Sequence, residues 1–273
     1  MPELPEVETI RRQLEPSLDG AGVVDAGSHW SDKFTPALDA VDHRIDGLRR
    51  RGKYLLADLT DRADPEIRRE LIIHLGMTGR LAVETDPDLD HPHLRAWWLL
   101  DDDRHLTFHD ARRFGRIHVV PRGRHEGIPT LHALGPEPFD EAFTGRHLAA
   151  FVKRSNRHLK TVLLGQRAVA GVGNIYADEA LWMAEINPAI RRLGVERADR
   201  LVDTIRAALQ SGLDHGGTTL RDYVDPAGDA GENQHELHCY GRGGEPCERC
   251  GTELRRRDLD ARTTTWCPVC QAR

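Results

Sequence analysis

The chain has 273 residues, of which 39% are hydrophobic, and it carries a formal net charge of −6. This composition excludes a disordered or fibrous chain, and the length favours two domains or one domain with a small appendage. No apolar run reaches the roughly 18–20 residues of a membrane span, and the N-terminus does not look like a signal peptide, so we expect a cytoplasmic protein with no membrane partner.

The chain begins MPELPEVETI, and the apolar spacing of LPEVETIRRQLEPSL predicts a first helix. Met1 is expected to be trimmed when a proline follows, which leaves a free secondary amine on Pro2. An α-amino group titrates near ~7.7–8.0 and a lysine near ~10.4, so far more of the α-amine is unprotonated and nucleophilic at neutral pH. From this stretch alone, two interpretations of Pro2 remain open: a terminus without a chemical role, and a nucleophile.

The next segments alternate between apolar and polar residues, which predicts an antiparallel sheet or sandwich over roughly the first 120 residues. Two predicted turns carry residues of interest. Met77 in HLGMTGRL is either a packing residue or an apolar wedge for a base stack. Arg112 and Phe114 in RRFG form a cation and an aromatic ring on the second turn, suited to filling a gap between bases.

The helical period returns from about Thr144 and continues to residue 215. GVGNIYADEA places Asn174 after a glycine-rich hinge, where we expect it to cap a helix. The start of that helix is either a plain cap or an anion site, because backbone N–H groups at a helix N-terminus attract negative charge.

Four of the five cysteines lie within the last 27 residues, in the pattern Cys247-x2-Cys250-x16-Cys267-x2-Cys270. Two CxxC pairs at this spacing are typical of a structural zinc ribbon, with a redox dithiol as the alternative. Because protein ligands fill all four positions, we predict one structural Zn²⁺ and no catalytic metal. Cys239 lies outside the pattern and is interpreted as a packing residue.

The charge distribution leaves a nucleic-acid partner open. The net charge of −6 argues mildly against one, because nucleic-acid-binding domains tend to be basic. The segments GLRRRGK (47–53) and DARRFGR (110–116) are nevertheless basic, and the tail from 241 to 273 has a net charge of +2. Each basic segment is either a solvated surface or part of a polyanion site.

Eight motifs in register resemble the formamidopyrimidine-DNA glycosylase family, which shares its fold with endonuclease VIII. They cover the chain from Pro2 to Gln271: PELPEVE, RGKYLL, HLGMTGRL, DARRFG, AGVGNIYADEALW, GGTTLRDY, YGRGGEPCERCG and RTTTWCPVCQ. The resemblance implies an α+β fold with flanking helices. Its parts would be an N-terminal catalytic β-sandwich domain (1–130), a helix–two-turns–helix DNA-binding domain (140–238) and a zinc finger (239–273).

The resemblance also implies an activity. The chain would be a monomeric base-excision-repair enzyme that binds damaged double-stranded DNA between its two halves. It would remove oxidised purines such as 8-oxoguanine and formamidopyrimidines, and then nick the strand by β,δ-elimination. In that mechanism Pro2 attacks C1′ and forms a Schiff base with the opened sugar, while Glu3 donates protons. Lys53 matches a strand lysine that acts as a proton donor, and Arg262 matches the finger arginine of the δ step.

Further residues match the family's DNA contacts. Met77, Arg112 and Phe114 match the three residues that fill the void left by the flipped nucleotide. Asn174 matches a phosphate-binding asparagine, and His91 in HPH matches a DNA-contacting histidine. Two departures stand out: Asn156 replaces a usual basic residue at a phosphate contact, and the loop 225–234, though of the expected length, is acidic and lacks aromatic residues.

Three alternatives remain beside this hypothesis. An endonuclease VIII-like enzyme for oxidised pyrimidines is disfavoured by PELPEVE and by the long loop before YGR. A catalytically inactive damaged-DNA-binding relative is disfavoured because Pro2, Glu3, Lys53 and Arg262 are all present. A purely structural zinc protein is the most distant alternative.

Overall fold

The structure is a computed structural model that describes residues 1–272 of the chain. Contacts group these residues into two compact units. Unit 1 comprises 1–132 together with the excursion 216–232, and unit 2 comprises 133–215 and the described residues from 233 onward. The predicted domain boundaries at 130, 140 and 238 stay a prediction. The predicted α+β class is confirmed.

Unit 1 begins with helix α1 (Leu4–Leu18), continues through eight strands and contains two short helices, a 3-10 helix over Thr35–Ala40 and the α-helix α2 (Pro129–His132). The strands are β1 (Val23–Ser28), β2 (His43–Arg51), β3 (Tyr54–Asp61), β4 (Arg68–His74), β5 (Gly79–Glu84), β6 (Leu94–Leu100), β7 (His105–Asp110) and β8 (Arg116–Pro121). They pair antiparallel in two four-stranded sheets, ordered β1-β6-β7-β5 and β2-β3-β4-β8. The sheet predicted for the first 120 residues is therefore confirmed.

One continuous core holds the two sheets and α1 together. Trp98 and Phe108 from the first sheet pack in the same buried cluster as Leu55 and Ile73 from the second. The apolar stripe of α1 joins this cluster through Val7, Ile10, Leu14 and Leu18. Because the sheets bury their inner faces against each other, this part of the chain is a β-sandwich, as predicted.

The described part of unit 2 contains four α-helices, one short 3-10 helix over Asn233–Glu236 and one hairpin. The helices are α3 (Gly145–Lys153), α4 (Leu159–Leu164), α5 (Asn174–Met183) and α6 (Val195–Asp214), and the hairpin is β9 (Arg255–Leu259) with β10 (Arg262–Trp266). Helices α5 and α6 approach closely at Gly212, where a Cβ atom would clash with the hydroxyl of Tyr176. Among residues 1–272, no helix combines the length and apolar character that a bilayer span requires.

Candidate active site and metal centre

The N-terminal residues of unit 1 are buried rather than frayed. Pro2 and Glu3 are buried, whereas the side chain of Met1 is 51% exposed. Glu3 precedes the first turn of α1, and its side chain accepts the backbone N–H of Glu6. The carboxylate of Glu6 accepts the backbone N–H of Glu3 in return, at 2.7 Å from Oε2. This capping box fixes the backbone next to Pro2.

Glu6 also fastens the excursion 216–232 to α1. Its Oε1 accepts the backbone N–H of Thr218 at 2.7 Å, so one buried carboxylate links Glu3 to this segment. Gln13 on α1 donates to Asp225 Oδ2 at 2.6 Å, and Tyr223 is buried in the sandwich core. Despite its acidic and polar sequence, the segment is therefore anchored to α1 and to the core of unit 1.

Lys53 lies in the two-residue turn that joins β2 to β3 and not on a strand, which corrects the prediction of a strand lysine. Gly52, the first residue of the turn, has φ +56°, and a glycine at this place suits a tight hairpin. The Lys53 side chain is 7% exposed, and its charge acts on the nearby ring of His74. The turn thus holds a buried cation beside a histidine.

His74 is a neutral ring in this environment. Burial, together with the positive charges of Lys53 and Arg116, lowers the pKa of His74 to about 4. Its Nδ1 lies 3.1 Å from the backbone nitrogen of Gly76 and accepts that N–H. The proton of the neutral ring is therefore on Nε2. The ring packs against Tyr54 with centroids 4.8 Å apart, which fixes its orientation.

The turns that carry Met77 and Phe114 pack against each other. Met77 lies between β4 and β5, and Arg112 and Phe114 lie between β7 and β8. Gly76 has φ +68°, and a Cβ atom there would lie 2.5 Å from the backbone nitrogen of Gly115. A glycine is thus required for this close approach. Phe114 is 50% exposed, and the Arg112 guanidinium lies 4.9 Å from its ring centroid.

A buried carboxylate holds these two turns in place. Asp110, at the end of β7, is fully buried, and its Oδ2 accepts the backbone N–H of Gly115 at 2.7 Å. Its Oδ1 accepts the hydroxyl of Thr78 at 2.5 Å, and the Thr78 oxygen accepts the backbone N–H of Arg112 at 3.1 Å. Because both turns bond to Asp110 directly or through Thr78, neither can shift without breaking a charged hydrogen bond.

His91 lies between β5 and β6 in a half-buried position. Its ring contacts the ring of His109 with centroids 4.9 Å apart, and its Nδ1 accepts the backbone N–H of His93 at 3.1 Å. The ring is therefore fixed by local contacts, and its contact with DNA stays a prediction.

In unit 2, the start of α5 is tied to the β9–β10 hairpin. Gly173 precedes the helix and Asn174 is its first residue, so the expectation that Asn174 caps the helix is wrong. The Asn174 Nδ2 atom donates to the Thr263 carbonyl at 3.2 Å. An amide nitrogen carries two hydrogens, so one remains for another acceptor.

A buried ion pair supports the same hairpin. Lys160 on α4 lies 2.7 Å from Asp178 Oδ1 on α5, and both side chains are 1% exposed. Lys160 also donates to the Thr263 carbonyl at 2.8 Å, and Asp178 Oδ2 accepts the backbone N–H of Thr265 at 3.0 Å. Burial raises the pKa of Asp178 to about 7, although the charge of Lys160 opposes this shift. The hairpin is thereby joined to two helices.

Arg262 begins β10 directly after the turn formed by Asp260 and Ala261, both of which have positive φ. Its side chain is exposed, and within residues 1–272 no carboxylate lies within 4 Å of its guanidinium. The hairpin thus presents a cation at its tip that is free to bind a phosphate bidentately. Asn156 is exposed in the segment between α3 and α4 and lines a groove with Lys153 and Arg191.

The four predicted zinc ligands come together. The Sγ atoms of Cys247, Cys250, Cys267 and Cys270 all lie within 4.8 Å of one another, and those of Cys250 and Cys267 are 3.5 Å apart. Zn–S bonds of about 2.3 Å in a tetrahedron place sulfurs about 3.8 Å apart, so the donor set fits one Zn²⁺ ion. Four protein thiolates leave no coordination position for water, which makes the site structural. Cys239 is buried and packs beside it, as predicted.

Four residues that organise these sites were not predicted from the sequence. Glu6 was detectable, because Glu3-x-x-Glu6 is the spacing of a capping box. His74 and Asp110 lay inside the motifs HLGMTGRL and DARRFG, but nothing in those strings indicated that Asp110 would be fully buried or that His74 would be half-buried next to two cations. Lys160 gave no signal in the sequence, since only the fold pairs it with Asp178.

Comparison with known proteins gives three family-model matches along the chain. The formamidopyrimidine-DNA glycosylase N-terminal domain matches residues 1–117, and the formamidopyrimidine-DNA glycosylase H2TH domain matches 134–224. A zinc finger found in FPG and IleRS matches 244–273.

Two relatives named formamidopyrimidine-DNA glycosylase are similar over their whole length. The protein from Deinococcus radiodurans is 42% identical, with 99% of this chain and 97% of the relative covered. The protein from Herpetosiphon aurantiacus is 43% identical, with both chains fully covered.

Solved structures agree with these matches. The MutM (FPG) protein from Thermus thermophilus superposes with a TM-score of 0.89 at 43% identity, over 99% of this chain and 98% of that one. A Lactococcus lactis FPG mutant bound to Fapy-dG-containing DNA superposes with a TM-score of 0.89 at 32% identity, over the full length of both chains. The sequence and the fold agree, and the chain belongs to the formamidopyrimidine-DNA glycosylase family.

Proposed function

We propose that the protein is a base-excision-repair enzyme that removes oxidised purines from double-stranded DNA and then nicks the strand at the resulting abasic site. Relatives over 40% identical are named formamidopyrimidine-DNA glycosylases. Structures similar to this chain were solved with Fapy-dG-containing DNA and with carbocyclic 8-oxo-G-containing DNA. These names support purine lesions rather than the oxidised pyrimidines of the endonuclease VIII alternative.

The observation that carries the proposal is the fixed N-terminus. A terminal amine is a useful nucleophile only if it is held in place, and chain ends are usually mobile. Here Pro2 is buried directly before a capping box, and Glu3, the proposed proton donor, is 2% exposed. Removal of Met1 would turn the Pro2 nitrogen from an amide into a secondary amine. The exposed side chain of Met1 is consistent with a residue that packs little against the fold.

The proposed reaction follows from this amine. The Pro2 nitrogen attacks C1′ of the damaged nucleotide and the bond between C1′ and the base breaks, so the base leaves with the electron pair of that bond and takes up the proton that the Pro2 nitrogen loses. The sugar ring then opens as Glu3 transfers a proton to O4′, leaving an iminium between Pro2 and C1′. The cationic iminium acidifies the C2′ proton, whose loss expels the 3′-phosphate. A second elimination expels the 5′-phosphate, and water releases the sugar fragment from Pro2.

The other predicted residues serve the surrounding DNA. Lys53 supplies a cation beside the neutral His74, which suits both proton transfer and phosphate binding. Met77, Arg112 and Phe114 lie on two turns that pack together, which suits insertion into the space of an extruded base. In unit 2, Asn174 and Arg262 belong to a helix start and a hairpin tip, both suited to phosphate oxygens.

The zinc ion has a supporting role in this proposal. It would hold the segment that carries the β9–β10 hairpin in shape, because this small module has little core of its own. Trp182 of α5 packs in the same cluster as Cys247 and Cys267, so the metal site is continuous with the helices of unit 2.

The test is borohydride trapping of the purified protein on a duplex with 8-oxoguanine opposite cytosine. Mass spectrometry must first show that the preparation begins at Pro2. We expect a covalent protein–DNA adduct, since borohydride reduces the iminium to a stable amine. Absence of an adduct from such a preparation would overturn the mechanism.

Two controls separate chemistry from binding. A form that keeps Met1, made by placing a short extension before it, should bind the duplex but give no adduct. Pro2→Gly should reduce strand nicking far more than DNA affinity. Equal loss of both would mean that the terminus is only structural. A parallel duplex carrying an oxidised pyrimidine tests the endonuclease VIII alternative, which predicts faster excision of that base.

A further inference from the structure

A groove on unit 2 has no role in the proposed reaction. Its cavity volume is about 750 Å³, within the roughly 300–1,000 Å³ typical of ligand-binding clefts. Helix α3 forms one wall, through residues spaced as one face of a helix: Arg146, Ala149, Ala150 and Lys153. Residues 191–195 form another wall. Ala149 and Ala150 have small side chains, so the surface of α3 is lower here and forms a depression.

The groove combines an apolar floor with a cationic rim. Leu193 and Ala149 are almost fully buried in its floor, and Val195 is 49% exposed. Four basic residues and no acidic residue line it, although the whole chain carries a net charge of −6. Within residues 1–272, no carboxylate lies within 4 Å of the charged groups of Arg146, Lys153 or Arg192. These cations are therefore available to an external anion.

We propose that this groove docks an acidic segment of a partner protein, with an apolar side chain of that segment seated on the floor. Clustered arginines recognise acidic motifs, and a buried apolar anchor supplies much of the affinity of such contacts. A nucleic-acid backbone presents anionic oxygens, but its sugars carry no branched aliphatic side chain that could insert into the groove against the exposed Val195. An acidic peptide with an aliphatic residue satisfies both parts of the groove.

The proposal is independent of the proposed repair activity. The groove residues differ from those assigned to chemistry, base displacement and zinc binding. Asn156 is the exception, because it lines the groove and was also predicted to contact DNA. A test must therefore separate peptide binding from DNA binding.

The test uses the full zinc-loaded chain and a fluorescein-labelled peptide, Asp-Leu-Asp-Asp-Leu-Asp, with binding followed by anisotropy. We expect saturable binding at physiological salt. A peptide with serine in place of leucine tests the apolar floor, and one with asparagine in place of aspartate tests the rim. Each should bind about tenfold more weakly, equivalent to about 1.4 kcal/mol. Equal affinity of all three peptides, or no binding, would overturn the proposal.

Three variants locate the site. The double variant Arg146→Glu with Arg192→Glu should weaken binding by at least about tenfold, because it turns two attractions into repulsions. Val195→Glu should act similarly by placing a carboxylate on the floor, and an acidic residue suits the first turn of α6. Arg200→Glu is the matched control, since this exposed arginine of α6 does not line the groove and its variant should bind normally. Equal effects of all variants would contradict the location.

Competition with DNA tests whether the groove binds a protein segment or belongs to the DNA-binding surface. Saturating undamaged duplex should leave peptide affinity unchanged, and Arg146→Glu with Arg192→Glu should keep DNA affinity within about twofold. If duplex displaces the peptide and the double variant loses DNA affinity in parallel, the groove belongs to the DNA-binding surface and the docking proposal is wrong.

Discussion

Thr78→Val is the sharpest test of how unit 1 would displace a damaged base. Valine keeps the branched shape of threonine and removes the hydroxyl that joins Asp110 Oδ1 to the backbone N–H of Arg112. A hydrogen bond to a charged group contributes about 1.5–3 kcal/mol, and Thr78 is only partly buried, so we expect a loss of about 2 kcal/mol in the free energy of unfolding. The remaining bond from Gly115 keeps Asp110 in place. The turn that carries Arg112 and Phe114 should then become mobile relative to the turn of Met77.

The assay compares two substrates under single-turnover conditions. Excision of 8-oxoguanine from a duplex requires the base to leave the stack, whereas an abasic site has no base to extrude. We expect Thr78→Val to slow excision by about tenfold or more, because small misplacements of positioning groups can cost up to about a hundredfold, and to leave nicking at a preformed abasic site within about twofold.

The matched control is Thr107→Val, which removes another threonine hydroxyl bonded to a carboxylate, Glu84 Oε2 at 2.7 Å. Thr107 is fully buried in β7, so this variant should lose at least as much stability without a change in the ratio of excision to nicking. Equal slowing of both reactions in Thr78→Val, or the same ratio of excision to nicking in both variants, would show that the Thr78 hydroxyl does not position the two turns for base displacement.

Three further predictions concern pH, a buried ion pair and the metal. The pKa of His74 is lowered to about 4 in the fold from an ordinary 6.5, so the unfolded chain binds more protons between these values. Its contribution to stability is complete above pH 6.5 and decreases as pH falls towards 4, by up to about 3 kcal/mol. The raised pKa of Asp178 gives the opposite slope over this range, so the quantity to measure is the difference in urea unfolding free energy between the wild type and His74→Gln, which share Asp178. This difference should decrease as pH falls from 6.5 to 4, and a difference that does not change with pH would contradict the prediction. Lys160→Met should destabilise the fold by about 3–5 kcal/mol because it leaves Asp178 buried without its cation. The double variant Lys160→Met with Asp178→Asn should recover part of that loss. An unchanged midpoint of urea unfolding in the single variant would contradict the pairing. Removal of zinc by a chelator should weaken DNA binding, as followed by anisotropy, and unfold the segment around Cys247–Cys270, as followed by circular dichroism. Unchanged DNA affinity after verified metal loss would exclude a role for the zinc finger in DNA binding.

Much of the architecture could be predicted because it depends on local patterns. Alternation of apolar residues predicted the sandwich strands, and the spacing of Val7, Ile10, Leu14 and Leu18 predicted α1. The two CxxC pairs predicted the zinc site, since thiolates two residues apart form a knuckle whatever the rest of the fold does. Turns that carry Met77 and Phe114 were also predicted, because glycine and charged clusters mark strand ends.

Local patterns failed where a residue's role depends on distant neighbours. Asn174 has the side chain of a helix cap, but the fold places the Thr263 carbonyl next to its amide and makes Gly173 the cap. Lys53 looked like a strand residue, but a glycine with positive φ turns the chain one residue earlier.

The family, the strands and helices, and the four metal ligands could be predicted without the fold, because each follows from residues close together in the chain or from motifs in register. The set of buried charges could not, because it depends on how distant segments pack. The tertiary structure brought Asp110 to two turns, Lys160 to Asp178, and Glu6 to both Glu3 and Thr218. Burial and pairing depend on contacts between residues far apart in the sequence. These long-range contacts explain why His74 is neutral and why the N-terminus is held in place.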